Sequence, residues 1–491
     1  MTRRGIAAAG SQRRPAAGRT PVLRSGSRAH GLPPPALPVL AALLALPLLV
    51  GCGGRQVTPE PRSLVLVTID TLRADHVGAY GYPRETTPFL DRLAARGVVF
   101  ENAFAASSHT APSHASLMTS LQPFQHGLLK NGGYLPAGSH TLADLLSAAG
   151  YDTAAFTSVS FLIELGQGFE HMDAGWRSGD ETVDAAIAWL DARPAGAAPF
   201  FLWVHLYDPH RLPGPREKLQ PDAERFRAAG PEDRRRFLDY LAGRGLPPDF
   251  YPGEEGVLER YDLYDAGIRF ADRQIGRLWD RVRETDPQAR WIVTSDHGEG
   301  LGNHRYDDHG KYLYDEQIRV PLIVAGVEGP PRRVERMVRL VDVYPTVAAW
   351  LGHAGGGAGA AAAGRQPVQG YPLFEAPAAP GPLPPRLAFA ERRPKGKAAH
   401  QRHWEDGEVL ALRGGDFKYI YHSEGGDELY DLAADPLELD NRIAEASERA
   451  EALRVALLGY LDGSGRRPGA TDAAGDEDSE HEAELRALGY L

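Results

Sequence analysis

Three short apolar runs of this 491-residue chain end in side chains that could bind a metal ion. The first ends in Asp70, the second in His205, and the third in Asp296 and His297. Carboxylates with imidazoles suit zinc, manganese or similar ions, and carboxylates alone suit calcium or magnesium. A single Asp after a strand often only caps the next helix, but packing alone does not produce three such endings. The pattern predicts one shared site for a divalent metal ion (Zn, Mn or Ca).

A hydroxyl group is the next candidate. Thr110 stands two residues before Pro112, which is favoured in the first turn of a helix. Free N–H groups and the helix dipole favour an anion there. A Thr110 hydroxyl bound to the metal could lose its proton and act as a nucleophile. The residues alone equally allow a Thr110 that only caps the helix just after it.

The elements that must position these residues are strands alternating with helices. The predicted strands are Leu64–Ile69, Phe200–His205, Trp291–Thr294 and Val320–Val324. The predicted helices are Thr87–Arg96, Thr141–Ala149, Asp180–Ala192 and Tyr261–Glu284. Such alternation predicts an α/β fold with a large, mostly parallel sheet flanked by helices. Ligands bind at the carboxyl edge of such a sheet, so the three strand endings should meet there.

A different pattern begins near Pro384 and predicts a small C-terminal α+β subdomain. Its strands are expected at Leu387–Ala390, Val409–Arg413 and Phe417–His422, before a helix at Ile443–Asp462. The predicted domains are a tether at 53–62, a catalytic domain at 63–383, the subdomain at 384–462, and a mobile tail with a terminal helix at 463–491. The Gly/Ala run at 354–364 predicts a surface loop.

The N-terminal segment predicts export. Seven arginines precede the apolar stretch Ala36–Val50, and no acidic residue occurs before Glu60. This order is typical of a secretory signal. The ending Gly51-Cys52 resembles a bacterial lipoprotein signal at 1–52, with a lipid on Cys52 that would hold the protein at the periplasmic face of a membrane or at the cell surface. An uncleaved membrane anchor is the alternative. Cys52 is the only cysteine, so no disulfide can form within the chain.

The net charge of −11 argues against a nucleic-acid partner, because phosphate backbones are bound by clustered Lys and Arg. The expected partner is a small anionic ester, with membrane contact only through the lipid.

From about Leu64 onward the chain resembles the sulfatase-like family of the alkaline phosphatase superfamily. The motifs that carry the resemblance are Val67–His76, Thr110–His114, His205–His210, Thr294–Glu299, His309–Leu322, Glu428–Leu432 and Leu485–Leu491. The resemblance implies metal ligation by Asp70, Thr110, Asp296 and His297. It implies catalytic roles for Thr110, Lys311 and His210, and substrate binding by His114, His205 and His309.

The chain also departs from the family pattern. Sulfatases carry Cys or Ser, oxidised to formylglycine, followed by Pro and Arg, whereas Thr110 and His114 stand at the nucleophile and Arg positions here. Thr71 replaces the second acid after Asp70, and Thr157–Ser160 stands where the family has a Gly-Lys-Trp-His-Leu-Gly segment. The resemblance then points to the phosphotransferase and phosphodiesterase branches. A second metal is possible, with ligands from Asp208, His210, His304 and His309.

These observations predict an exported, metal-dependent hydrolase that cleaves phosphate monoesters or diesters, or sulfate esters, through a Thr110 alkoxide. Three alternatives stay open: a sulfuric ester hydrolase without formylglycine, a transferase that builds the cell envelope, and a surface binding protein without catalysis.

Overall fold

The computed structural model of the chain describes residues 62–210, 216–353, 369–374, 387–393, 407–463 and 466. The predicted signal, nearly all of the predicted tether, the Gly/Ala run and all but two residues of the predicted tail lie outside this part. No helix of the described part is both long and apolar enough to cross a membrane.

A large sheet of eight strands forms the centre of the described part. The strands are β1 Leu64–Ile69, β2 Val98–Phe104, β3 Asp152–Thr157, β4 His171–Ala174, β5 Phe200–Leu206, β6 Arg290–Thr294, β7 Arg319–Ala325 and β8 Arg332–Arg339. Their order is β4-β3-β5-β1-β6-β7-β2-β8. Only β7 runs antiparallel to its neighbours, so the predicted mostly parallel sheet is confirmed.

Strand β1 lies between β5 and β6, where the candidate ligands were expected. Thr68 pairs with His205 on one side and with Thr294 on the other. All three strands run in the same direction, so the residues that follow them leave the sheet at one edge, which we call the catalytic edge.

Helices cover both faces of this sheet. The helices of the described residues are α1 Pro88–Ala94, α2 Thr110–Thr119, α3 Pro123–His126, α4 Leu142–Ala148, α5 Gly179–Asp191, α6 Arg216–Arg227, α7 Pro231–Gly243, α8 Gly253–Thr285, α9 Asp315–Ile318 and α10 Val343–Trp350, with α11 Ser447–Gly463 in the C-terminal region. Side chains of β1 alternate between the two faces: Leu64 and Leu66 join one core, and Val65, Val67 and Ile69 the other. Each such fully buried side chain contributes about 1.5–3 kcal/mol.

Two predicted helices begin more than one residue away from the expected position. The helix predicted from Tyr261 begins at Gly253, and the one predicted from Ile443 begins at Ser447. Helices α6 and α7 occupy a segment without a predicted pattern. Their apolar stripes are sparse, since α7 buries only Phe237 and Leu241, and a stripe this narrow gives a weak periodic signal.

The C-terminal region forms its own small sheet, as the predicted α+β pattern requires, and the sheet is antiparallel. Its strands are β9 Leu387–Arg392, β10 Val409–Gly414, β11 Phe417–His422 and β12 Glu428–Asp431, in the order β12-β11-β10-β9. Helix α11 packs on it through Leu457 and Leu461.

Candidate metal centre and nucleophile

The three strand endings meet in a buried cluster at the catalytic edge. Asp70, Asp296 and His297 each offer a ligand atom, and these atoms lie within 4.8 Å of one another. All three residues are fully buried. A carboxylate pair with one imidazole in this space is a donor set for a divalent cation.

The Thr110 hydroxyl faces this cluster. Its Oγ1 lies 3.3 Å from Nε2 of His297 and 3.5 Å from Oδ2 of Asp70. Thr110 is the first residue of α2 rather than the residue before it, and the N-cap position belongs to His109. All ten residues of α2 are buried. The Ser113 hydroxyl donates to the Asp296 carbonyl at 2.6 Å, which joins α2 to the ligand loop.

Unpaired atoms test whether a cation fits the cluster. Asp70 Oδ1 and Asp296 Oδ2 are buried and accept no hydrogen bond from any described residue. Leaving such oxygens unpaired costs about 1–3 kcal/mol each, and more when charged. The Nδ1–H of His297 donates to the Gly298 carbonyl at 2.8 Å, which leaves the Nε2 lone pair for a metal. The described donors therefore fit a divalent cation.

The two carboxylates differ in their pKa. Burial raises the pKa of Asp70 well above its usual value, and the charge of Asp296 raises it further. Burial acts in the same direction on Asp296, but nearby His297, His114 and His205 lower its pKa overall. A cation that enters would favour the ionised form of both carboxylates.

His205 lies behind Asp70. Its Nε2 is 3.2 Å from Asp70 Oδ2, and its side chain is fully buried. Burial lowers the pKa of His205 to about 4, so the imidazole is neutral and its Nε2–H donates to the carboxylate. The bond orients Asp70 within the cluster.

His114 lies beneath Thr110 with both ring nitrogens in use. One nitrogen, Nδ1, is 2.8 Å from the Thr110 carbonyl, and Nε2 is 2.9 Å from Thr68 Oγ1. Trp203 Nε1–H donates to the same Thr68 oxygen at 3.0 Å, so the Thr68 hydroxyl can donate to Nε2 of a neutral His114. Burial lowers the pKa of His114 to about 4, which agrees with a neutral ring. Both ring nitrogens of His114 are thus already hydrogen-bonded within the protein, and neither is open for the expected contact with substrate.

The rings of His297, His309 and His210 are successive neighbours in the site. The ring of His309 lies 4.6 Å from that of His297 and 4.9 Å from that of His210. Glu299 Oε1 lies 3.3 Å from His309 Nδ1. Burial lowers the pKa of His309, but Glu299, Asp308 and Asp70 together outweigh burial and raise it to about 9. A cationic imidazolium in this position suits an anionic ligand.

Lys311 follows His309 by two residues. Its ammonium group lies 4.6 Å from the ring centroid of Tyr312 and 6.0 Å from that of Tyr306. These contacts do not test a catalytic role, so that role stays a prediction.

The four ligands expected for a second metal do not form one metal-capable group, although the rings of His210 and His309 are neighbours. Asp208 accepts the Gly179 N–H at the start of α5 (3.0 Å), and His304 pairs with Glu316 (3.1 Å). Among the described residues, no metal-capable group of three contains Asp208, His210 or His304. His309 instead groups with Glu299 and Asp308.

Thr71 is a site residue that sequence reasoning missed. It adopts a left-handed backbone with φ 56, which costs a β-branched residue about 1–3 kcal/mol. This conformation directs its N–H to Asp296 Oδ1 at 3.2 Å, and the Tyr264 hydroxyl donates to its carbonyl at 2.7 Å. No local sequence signal predicts this geometry, because the partners come from distant elements.

Arg73 is a second missed residue. Its guanidinium donates twice to Asp75 at 2.8 Å, and also to the Glu299 carbonyl (3.2 Å) and to Asn303 (3.1 Å). It therefore holds the loop after His297 against the loop after β1. The signal in the sequence was an Arg three residues after a candidate ligand.

Fold and site together define an α/β protein with a buried divalent-cation site beside a hydroxyl at the catalytic edge. The family model described as Sulfatase matches residues 62–353, more than half of the chain. The chain belongs to the sulfatase family, whose characterised members are hydrolases.

Individual relatives agree with this assignment. The uncharacterized sulfatase YidJ of Escherichia coli (strain K12) is 26% identical over 82% of this chain and 87% of its own length. The Delta 4,5-hexuronate-2-O-sulfatase of Bacteroides thetaiotaomicron is 24% identical over 79% and 86%. The crystal structure of the phosphonate monoester hydrolase of Agrobacterium radiobacter matches with a TM-score of 0.60 at 24% identity, covering 82% of this chain and 96% of that chain.

Proposed function

We propose that this protein is an exported hydrolase that cleaves phosphate monoesters or diesters, with Thr110 as its nucleophile. The observation that carries the proposal is the Thr110 hydroxyl, 3.3 Å from His297 and 3.5 Å from Asp70. A divalent cation held by Asp70, Asp296, His297 and Thr110 would lower the pKa of the hydroxyl and neutralise charge on a substrate oxygen.

Four residues of the chain have separate roles in the proposed reaction. After the Thr110 hydroxyl has lost its proton to water, its Oγ1 attacks phosphorus in line with the leaving oxygen, forming a P–O bond to the enzyme as the bond to the leaving group breaks. His309 and Lys311 neutralise charge on the remaining phosphoryl oxygens. His210 gives a proton to the leaving oxygen. Water then attacks phosphorus as the bond to Thr110 breaks, which releases phosphate from a monoester substrate or a phosphate monoester from a diester substrate.

His114 and His205 act as positioning residues in this scheme. His114 holds the carbonyl of Thr110, and His205 holds Asp70. Both are neutral and buried, so each orients a neighbour without placing a charge in the site.

Sulfate ester hydrolysis without formylglycine is the second candidate. It is favoured by the relative whose name describes a hexuronate sulfatase, and disfavoured by Thr110 at the position of the formylglycine precursor. One purified sample should be tested with an aryl phosphate, a phosphodiester, an aryl sulfate and an added acceptor alcohol. Faster turnover of the sulfate contradicts the phosphate proposal, and transfer to the alcohol identifies a transferase. Bound metal without turnover on any ester identifies a binding protein.

The proposal includes export through a lipoprotein signal at 1–52 with a lipid on Cys52. It keeps a catalytic domain at 63–383 and a C-terminal subdomain at 384–462. The mass of the mature N-terminal peptide tests the lipid. An unmodified Cys52, or an N-terminus that still begins at Met1, contradicts it.

A further inference from the structure

A cavity of about 190 Å³ lies between α1 and the last turns of α8. Its floor is aromatic: Phe89 and Trp279 meet edge to face, with ring centroids 6.0 Å apart. Gly276 supplies part of the space, since a Cβ there would approach Phe89 to 3.3 Å. The floor suits an apolar group, and Trp279 is only half-buried.

Three exposed arginines surround this aromatic floor. They are Arg92, Arg96 and Arg283, and none forms an ion pair with a residue that the structure describes. The guanidinium of Arg92 lies 5.6 Å from the Phe89 ring, and that of Arg283 lies 5.9 Å from the Trp279 ring. The lining contains one carboxylate, Asp280, so the cavity carries a net positive charge in a chain of net charge −11.

Other arginines of α8 behave differently. Each pairs with a carboxylate of a neighbouring element: Arg269 and Arg273 with Asp222, Arg277 with Asp184, and Arg281 with Asp191. Among the arginines of α8, Arg283 alone forms no ion pair with a described residue, and the chemistry of the cavity fits an anion attached to an apolar group.

The cavity lies at the edge opposite the metal centre. The Trp279 ring is 5.0 Å from that of Trp291 near the start of β6, and Arg96 directly precedes the segment that enters β2. The chain enters β1 at the same place. The Ser63 N–H donates to the Asp286 carboxylate at 2.9 Å, three residues beyond Arg283.

We propose that this cavity binds the phosphate headgroup of an anionic membrane phospholipid. The proposal rests on the lipid anchor proposed above, because Cys52 stands only ten residues before Arg62, where the described chain enters this edge. Anionic headgroups attract surface Arg, and Trp favours the interface between water and lipid. A membrane held there leaves the catalytic edge facing away from it.

The test is a titration of the purified full-length protein with dihexanoylphosphatidylglycerol below its micellar concentration. Trp279 fluorescence reports binding, and a Trp279→Phe variant identifies its share of the signal. The double variant Arg96→Gln/Arg283→Gln should bind at least about tenfold more weakly. The matched control is Arg277→Gln, which removes an exposed but paired arginine of the same helix and should bind as the unmodified protein does.

Further arms distinguish lipid from other ligands. Dihexanoylphosphatidylcholine and glycerol phosphate should both bind more weakly than the phosphatidylglycerol. Equal binding of the two lipids, equal binding of glycerol phosphate, or unchanged binding by the double variant would overturn the proposal. Ester turnover is measured on the same samples and should not change in the double variant. Arginine-dependent lipid binding without ester turnover would contradict the proposed hydrolase and leave the cavity site intact.

Discussion

Thr110 Oγ1 and His297 Nε2 lie 3.3 Å apart, although 187 residues separate them in the chain. The contact joins the first turn of α2 to the loop after β6. Ser113 adds a hydrogen bond from the same helix to the Asp296 carbonyl. The hydroxyl is therefore fixed against the candidate ligands by the packing of a fully buried helix.

Removing this hydroxyl should abolish turnover. We expect Thr110→Ala to lower kcat by at least about a thousandfold, since loss of a nucleophile removes the covalent step. Thr110→Ser keeps a hydroxyl and should stay within about tenfold of the unmodified enzyme. Bound metal, measured by elemental analysis, should change little in either variant because three donors remain. Full activity of Thr110→Ala would contradict the proposed mechanism.

Asp296 should control metal content. Asp296→Asn replaces a ligand oxygen of the buried cluster and should reduce bound metal to below about a tenth of the unmodified level. Chelation of the unmodified protein should lower its melting temperature, because a ligand present at 100 times its Kd stabilises by about 2.7 kcal/mol. The control, Asp184→Asn, alters an exposed carboxylate and should retain its metal. Equal metal content in both variants would exclude Asp296 as a ligand.

The positioning role of His114 predicts a separation of kcat from KM. His114→Leu loses both hydrogen bonds and should lower kcat about 10- to 100-fold with little change in KM, because Thr110 is no longer held. His114→Asn can still donate to the Thr110 carbonyl and should recover part of the loss. An increase in KM with unchanged kcat would instead indicate direct substrate binding.

His126, whose Nε2 lies 3.0 Å from the Ser116 hydroxyl of α2, should make stability depend on pH. Burial lowers its pKa to about 3, while the Leu128 N–H donates to its Nδ1 at 3.1 Å. The unfolded chain therefore binds more protons below pH 6.5, and His126 should cost about 2 kcal/mol of stability between pH 7.5 and 5. The side chain of His126→Asn cannot titrate. Between pH 7.5 and 5 the free energy of unfolding of this variant should therefore fall by about 2 kcal/mol less than that of the unmodified protein. Equal falls in urea titrations would contradict the assignment.

Lys418 should anchor the C-terminal sheet. Its side chain is fully buried and lies 3.0 Å from Asp315 and 2.7 Å from Glu438. Lys418→Met removes the ion pair of the buried Glu438, whereas Asp315 keeps its ion pair with Arg413, and should destabilise the protein by about 3–5 kcal/mol. Lys218→Met removes a more exposed ion pair with Asp180 and should cost less than about 1 kcal/mol. Similar melting temperatures for the two variants would contradict this difference.

The central strands could be predicted because their signals are local. Strands β1, β5 and β6 are continuous apolar runs, and parallel topology then requires their endings to meet. Strand β8 escaped prediction because its sequence, RRVERMVR, is mostly charged and lies at the edge of the sheet. The left-handed backbone of Thr71 and the hydrogen bond between His114 and Thr68 depend on partners from other elements, so no local pattern could indicate them.

The reversed direction of β7 has a consequence for how such a site can change. Because β7 starts at the catalytic edge, the chain from Asp296 to Ile318 needs no crossover and stays at that edge. This one excursion carries two candidate metal ligands together with His309 and Lys311. Exchanging this segment between relatives would therefore replace these four residues together while the order of the eight strands stays the same.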